Sequence, residues 1–338
     1  MSPRPLPPSA VRFLLPVLAL AACVAPDPAP VVRGPLPTRN NHPVSLTFLH
    51  MRPRRAVALP EGRWQATVQG TYTAIYEADS RPGQVVRFDG ETAHAGVRLR
   101  RGMGEGVDLE VGLAATHASS GFLDSFVDAF HDFFNLPDQG REKVEDDQFA
   151  MFLRQDGNVL YELEEDRVGI ADVPVVLTKS LREEDADGPA VAARFGIELP
   201  AGSESNGFGN GELDYGAGVL VERSFGRWTW TGALDVVVPG QPRRWEDADV
   251  DARELVSLQA GTEYRWTNDL SVLAQLFLTT PMTRDFTTEE FNREIADFAV
   301  GVAYGGGDGP RWFAAFQEDI VAATGPDFGV TLGATWSW

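Results

Sequence analysis

The chain has one cysteine, Cys23, among its 338 residues, so it can form no internal disulfide. It is short of basic residues: 29 Lys and Arg stand against 49 Asp and Glu, for a net charge of -20. Nucleic acid is thereby excluded as a partner, because phosphate binding needs clustered Lys and Arg. After the leader no stretch reaches the roughly 18 apolar residues that a membrane-spanning helix requires. Histidines are scarce as well, five in all, and none stands at metal-ligand spacing from another; His131 and Asp132 are merely adjacent. Face parity points His94 inward and His117 outward, and Ser119 and Ser120 have no fixed histidine partner, which argues against nucleophilic catalysis. The run GGGDG lies between strands and not between a strand and a helix, so it is a turn and not a phosphate loop. These absences leave a protein with no catalytic residues, no metal and no cofactor.

The front of the chain carries export chemistry. Arg4 and Arg12 precede a short apolar stretch, Phe13 to Ala22, that ends Leu20-Ala21-Ala22-Cys23, the pattern of a signal peptide over residues 1–22. The last four positions resemble the lipobox of bacterial lipoproteins, which would make Cys23 the acylated first residue of the mature chain. Ordinary cleavage after Ala19-Leu20-Ala21 is the competing reading. The run VAPDPAPVVRGPLP offers few backbone donors and reads as a tether over residues 23–42. Residues 43–62 form a pre-barrel segment whose basic run Met51-Arg52-Pro53-Arg54-Arg55 either tucks inward as a plug or stays exposed.

From residue 63 to the end the dominant pattern has period two. Trp64, Ala66, Val68, Tyr72 and Tyr76 share one face, and Gln65, Thr67, Gln69, Thr71 and Thr73 the other, which describes a strand with one apolar side. Residues 93–99, 107–115, 191–199, 213–221, 228–238, 256–266, 270–278 and 296–304 read likewise. Less regular candidates lie near 148–156, 158–165, 169–180 and 312–321, and the chain closes on the alternating FGVTLGATWSW. The count is fourteen strands, or twelve if the pair between 148 and 165 is a hairpin within a loop. Helical periodicity is almost absent, so the fold class is all-β.

Loop lengths and tryptophans separate a membrane barrel from a soluble sandwich. Working back from Trp338, tight connections (GGGDG, TND, SF) alternate with longer ones (ATGPD, TTPMTRDFTTEEFN, PGQPRRWEDADVD, PAGSESNGFGNG). That is the signature of a transmembrane antiparallel β-barrel, short at the periplasm and long outside. Trp64, Trp228, Trp230, Trp266, Trp312, Trp336 and Trp338 all fall at the short-turn ends, as an interfacial girdle requires. The terminal aromatic, with Trp336 and Trp338 on one face, resembles the assembly signal in the closing strand of bacterial outer-membrane barrels. The stretches NNHPVSLTFLHMRPRRAVALPEGRWQATVQGTY, FHDFFNLPDQGREK and AVAARFGIELPAGS resemble the bacterial family DUF3187, over about residues 41–338. The resemblance implies an outer-membrane barrel of a Gram-negative cell and brings no ligand or catalytic residues with it.

If the apolar face meets lipid, the other lines a lumen. A pairing sum of 208 around the turn RGMGEG sets Arg100 opposite Asp108 and Arg98 opposite Glu110, as inward ion pairs. A two-residue turn Ser224-Phe225 would set Glu222 opposite Arg227. His94, Gln259, Glu263 and Arg265 join the lumen face. The stretch GFLDSFVDAFHDFFNLPDQG is the one clear helix signal. It is either a lid carrying Phe122, Phe126, Phe130, Phe133 and Phe134 across the mouth, or a helix lying along the outer-leaflet surface. The expected function is a passive channel or transporter for a small solute. The alternative is a structural or surface-interaction barrel with a filled lumen. The expected partners are outer-membrane lipid, the barrel-assembly machinery and an unidentified small solute.

Overall fold

A computed structural model describes residues 32–134, 145–286, 288, 290–305, 309–320 and 325–338. Cys23 and the leader lie outside the described residues. Fifteen strands make one antiparallel sheet. β1 (Trp64–Arg81), β2 (Gln84–Gly104) and β3 (Val107–Ser119) come first, followed by the short β4 (Ala150–Gln155), β5 (Asn158–Leu163) and β6 (Val168–Ile170). Next are β7 (Val173–Arg182), β8 (Ala190–Leu199), β9 (Asp214–Phe225), β10 (Trp228–Val238) and β11 (Leu255–Arg265). β12 (Leu270–Thr279), β13 (Ile295–Gly305), β14 (Arg311–Asp319) and β15 (Phe328–Ser337) complete the sheet. β1 pairs with both β2 and β15, and β3 with both β2 and β7, so every strand except β4, β5 and β6 belongs to one closed ring of twelve. The barrel is therefore twelve-stranded and not fourteen-stranded.

The two surplus strands of the longer count are the hairpin β4–β5. It adds to the outer half of β2, from Gln84↔Gln155 to Asp89↔Ala150. β1 and β2 run 18 and 21 residues, well beyond the ~9–11 that cross a bilayer. Their outer halves stand clear of the membrane and offer a free edge for pairing. Their connection is the two-residue turn Pro82-Gly83, where Gly83 takes a φ of +83° that a side chain would resist.

Burial is inverted relative to a soluble sheet. Val68, Val97, Leu113, Leu234, Leu258, Val300 and Leu332 are exposed, whereas Thr67, Gln69, Thr71, Gln259 and Gln275 are buried. The alternating apolar residues thus form an outward belt and the polar residues line the interior. Trp64 and Trp338 bond to each other through both backbone pairs where the ring closes, at 2.8 and 3.0 Å. The other indoles of the girdle occupy the same rim. Among the described residues no helix is long and apolar enough to cross a membrane.

The helix α1 (Asp124–Phe134) does not lie across the mouth. It packs on the outside of the barrel at the long-loop end, with Val127 buried against Ala74 and Phe328 and with Phe130 against Phe316. Ala74, Phe316 and Phe328 share the outward parity of Val68, Trp312 and Leu332. Two carboxylates of that same outward face hold the helix. Glu91 Oε1 accepts the backbone N–H groups of Phe122 and Leu123 at 3.0 and 2.5 Å, and Glu318 Oε1 stands 3.5 Å from His131 Nε2. The hydrogen bond to Glu318 raises the His131 pKa, burial opposing it and the Asp327 charge adding to it. Phe122 and Phe126 rest one side on Tyr72 and Phe328 of the wall, with ring centroids 5.5 and 5.3 Å apart, and together with Phe133 keep exposures of 70, 52 and 81%. The lid reading of Phe122, Phe126, Phe130 and Phe133 is thereby corrected, and the Phe134 side chain lies outside what is described. Outside a barrel both flanks of such a helix can be apolar, one against the wall and one toward acyl chains.

Candidate functional site in the lumen

The lumen is occupied by the chain's own N-terminal segment. Residues 33–42, expected as part of a tether, are packed inside with residues 43–59. The segment enters at the short-turn rim, climbs to the long-loop end, turns over the 3-10 turn Ser45–Thr47 and descends again to β1. Between Asp27 and Glu61 it holds no acidic residue, while Arg33, Arg39, Arg52, Arg54 and Arg55 are all present. The wall is complementary to it. Glu263 accepts the N–H groups of Arg33 and Gly34, the latter at 2.7 Å. Gln275 reads Leu36 as a neighbouring strand would, Oε1 accepting its N–H at 2.5 Å and Nε2 donating to its carbonyl at 3.1 Å.

The descending arm is tied most tightly. Arg194 and Asp235, both fully buried, form a two-point pair at 2.7 and 2.6 Å, and Arg194 Nη1 donates to the Arg52 carbonyl at 2.5 Å. Gln259 Nε2 donates to the Met51 carbonyl at 2.6 Å. Arg55 pairs with Glu222 at 2.6 Å. Asp108, with no exposed surface, accepts from Arg54 at 2.7 Å, from Arg100 and from the Leu59 N–H at 2.9 Å. Glycines leave the room the arm needs: a Cβ on Gly196 would sit 2.8 Å from Met51 Sδ, and one on Gly216 3.2 Å from Leu49.

Sequence-predicted site residues are placed as follows. Arg98, Arg100, Asp108 and Glu110 all face the lumen, but the register sums to 210, so Arg100 sits opposite Glu110, and Asp108 opposite Gly102. The turn is Glu105-Gly106 with an irregularity between Gly102 and Gly104, which shifts the pairing by one step on each strand. The ion pairs run diagonally instead, Arg100 to Asp108 and, at 3.9 Å, Arg98 to Glu110. The second hairpin turns at Gly226-Arg227, two residues later than expected, so Glu222 faces Thr231 across the strands and binds Arg55 of the plug, while Arg227 lies in the turn and donates to the Trp266 carbonyl. Arg265 donates to the Gly226 carbonyl at the rim. His94 is buried, with Nδ1 2.9 Å from the Thr116 hydroxyl. Arg194, Asp235, Gln275 and the inward glycines were missed. The signal for Arg194 and the inward glycines lies in the even-numbered face of ARFGIEL and DYGAGVLVE, and that for Asp235 and Gln275 in the odd-numbered face of WTWTGALDVVV and LSVLAQLFLT.

At the long-loop end the plug's tip joins an apolar cap. Val44, Phe48 and Leu49 pack with Phe88, Leu153, Phe208, Trp245, Phe286 and Phe291. Burial pushes His42, beneath the cap, down to about 3, so it is neutral beside Glu77 at 3.3 Å. Along β1–β3 the fit is looser. Two cavities of ≈ 80 and ≈ 50 Å³ share Arg52, Arg98 and Glu110 and run from Gln65 and Arg311 near the short-turn rim to His94 and Glu198. Among the described residues no group of His, Cys, Asp and Glu is arranged to hold a metal ion.

The fold is that of outer-membrane channels. A COG4313 outer membrane channel from Pseudomonas putida F1 superposes with a TM-score of 0.58 at 14% identity, covering 86% of this chain and all of the other. The NanC porin (TM-score 0.48, 8% identity, 80 and 98% covered) and the KdgM porin (0.43, 9%, 81 and 99%) are more distant. No curated protein matches the sequence. The family model for DUF3187, described as a protein of unknown function, matches residues 13–338, and the chain belongs to that family.

Proposed function

We propose that the protein is a passive outer-membrane channel for a small polar solute, closed in the state described by its own N-terminal plug. The observation that carries this reading is the way the plug is held. Both of its ends lie at the short-turn rim, its stem is fixed by hydrogen bonds and ion pairs and not by a continuous apolar core, and a chain of water-sized cavities runs beside it. Polar contacts can be exchanged for water, whereas a dry core cannot be opened cheaply. The solute would follow the β1–β3 side of the plug, where Arg52, Arg98 and Glu110 line both cavities.

The test is conductance in planar bilayers of the full mature chain and of a variant lacking residues 33–62. The full chain should conduct rarely, and the deletion variant, if its barrel refolds, should conduct steadily. A refolded deletion variant that remains solute-tight would refute the channel. The apolar cap at the outer mouth favours a second reading, a structural barrel with a permanently filled lumen. It expects unchanged solute uptake and altered envelope integrity when the gene is deleted. Acylation of Cys23, which would anchor the segment that leads into the plug, belongs to the same proposal; fatty-acid labelling that survives Cys23→Ser would remove it.

A further inference from the structure

Two plug arginines pair with wall carboxylates, Arg55 with Glu222 and Arg54 with Asp108, and Glu263 takes the backbone at Arg33. The ≈ 80 Å³ cavity gathers more arginine than these carboxylates balance. Arg52, Arg54 and Arg55 of the plug meet Arg98, Arg100 and Arg311 of the wall there, and Glu110 is the one carboxylate in its lining. Asp108 behind it serves both Arg54 and Arg100. Six guanidinium groups against Glu110, Asp108, Glu222 on Arg55 and Glu263, whose charge acts on Arg311, leave an excess of two positive charges (6 − 4). Among the described residues Arg52 and Arg311 are in no ion pair, and the Arg98 to Glu110 contact is long at 3.9 Å.

The guanidinium donors are also incompletely used. Arg54 Nε and Nη1, Arg100 Nε and Arg311 Nε are buried without a hydrogen-bond partner, and the Arg54 and Arg100 side chains are only 10 and 9% exposed. Water can accept such donors, and the cavity has room for several molecules. Water cannot neutralise the charge, and uncompensated buried charge is among the most costly arrangements in a protein. What satisfies both demands is an anion with several acceptor oxygens, since a guanidinium pairs with such a group at two points.

We infer that this cavity, between the descending arm of the plug and the wall near β1–β3, binds a small oxyanion: a carboxylate, phosphate or sulfate group. The binding site lies on the route of the proposed channel and gives that reading its class of solute. It depends on the plug being in place, because Arg52 and Arg54 supply part of the charge. Anion binding and plug seating therefore favour one another, as any two coupled equilibria must.

The test uses the full mature chain in a non-ionic detergent, with sodium sulfate, phosphate and acetate compared with chloride at matched ionic strength. Calorimetry should show saturable binding of sulfate or phosphate, and the same anions should raise the unfolding midpoint followed by tryptophan fluorescence. Arg52→Gln and Arg311→Gln should each weaken binding by about tenfold or more, the loss expected for a charge-assisted contact. Gln65→Glu keeps the shape and supplies one of the missing negative charges; it should raise the midpoint without added anion and diminish the response to sulfate, a gain that damage to the fold cannot mimic. Absence of saturable sulfate or phosphate binding, or an undiminished response in Gln65→Glu, would overturn the site. Binding without conductance in the plug-deletion assay would leave the site and remove the channel, and conductance without binding would do the reverse.

Discussion

Asp108→Asn should release the descending arm of the plug while leaving the barrel intact. The carboxylate is fully buried and binds two guanidinium groups and one backbone N–H, so the amide that replaces it leaves Arg54 and Arg100 with no directly bonded carboxylate and only Glu110, shared with Arg98, as counter-charge in the cavity lining. Removing one partner of a buried pair costs ~3–5 kcal/mol. Arg100 keeps its bond to the Val57 carbonyl at 2.8 Å, and neighbouring water can reach part of the site, so the lower figure of ~3 kcal/mol is the working value. At about 1.4 kcal/mol per decade, that is a roughly hundredfold rise in the opened population of the arm. The measurement is amide hydrogen exchange in detergent micelles. The Leu59 N–H, which Asp108 accepts at 2.9 Å, should exchange about a hundredfold faster, while amides in the β10–β12 ladder should be unchanged. If Leu59 is unaffected, Asp108 does not hold the arm. If all ladders quicken equally, plug and wall unfold as one unit, and the separable gate on which the channel depends does not exist.

Other outcomes follow from the same geometry. The His131 pKa is raised by Glu318, so its contribution to docking α1 is full below the ordinary value of 6.5 and is lost as pH rises through the higher folded value. Corrected for the base-catalysed intrinsic rate, α1 amides should therefore lose protection as pH rises above about 6.5, and His131→Gln should flatten that dependence; an equal slope in the variant would refute the role of His131. Leu258→Arg places a charge on a mid-strand outward position that is 49% exposed. It should cost ~2–4 kcal/mol in urea unfolding from lipid vesicles, and a neutral result would mean that this face meets water. Removing Trp338, whose backbone closes the ring against Trp64, should slow assembly, seen as unfolded periplasmic protein in pulse-chase labelling; normal assembly would deny the terminal aromatic that role.

The wall was legible because its physics is local. Period-two alternation needs only a chain and a boundary between two media, and Val68, Leu258 and Leu332 report the boundary directly. Strand count was less so, because β4 and β5 obey the same alternation as barrel strands and nothing local distinguishes a ring strand from one added to the overlong β2. Parity could be read around the Arg100 and Glu222 hairpins, but register could not. A shift of one residue on each strand keeps every side chain on its face, so hydrophobicity cannot detect it. The lid reading of α1 failed for a related reason. Helical periodicity shows that one face is apolar and is silent on whether that face covers water or rests on a lipid-facing wall.

The plug was the least legible part because it has no period at all; the prolines of residues 23–42 exclude that stretch from a ladder and made it read as a tether, while for Met51–Arg55 an inward plug and an exposed segment stood as equal alternatives. Charge and volume argue otherwise. A twelve-stranded ring encloses more space than its own inward side chains fill, the more so where those positions are Gly196 and Gly216. Several inward positions are carboxylates, Asp108, Glu222, Asp235 and Glu263 among them, and all four are buried. Such groups cannot be left unpaired in a dry interior, and Arg194 and Arg100 cannot serve them all. In a chain of net charge -20, the stretch from residue 28 to 60, with five arginines and no acid, is a ready supply of the missing charge. Glycine-lined space, surplus wall carboxylate and an acid-free segment joined to β1 together demand that the segment lie inside. It also follows that the place where plug and wall arginines face each other is where a further anion is required.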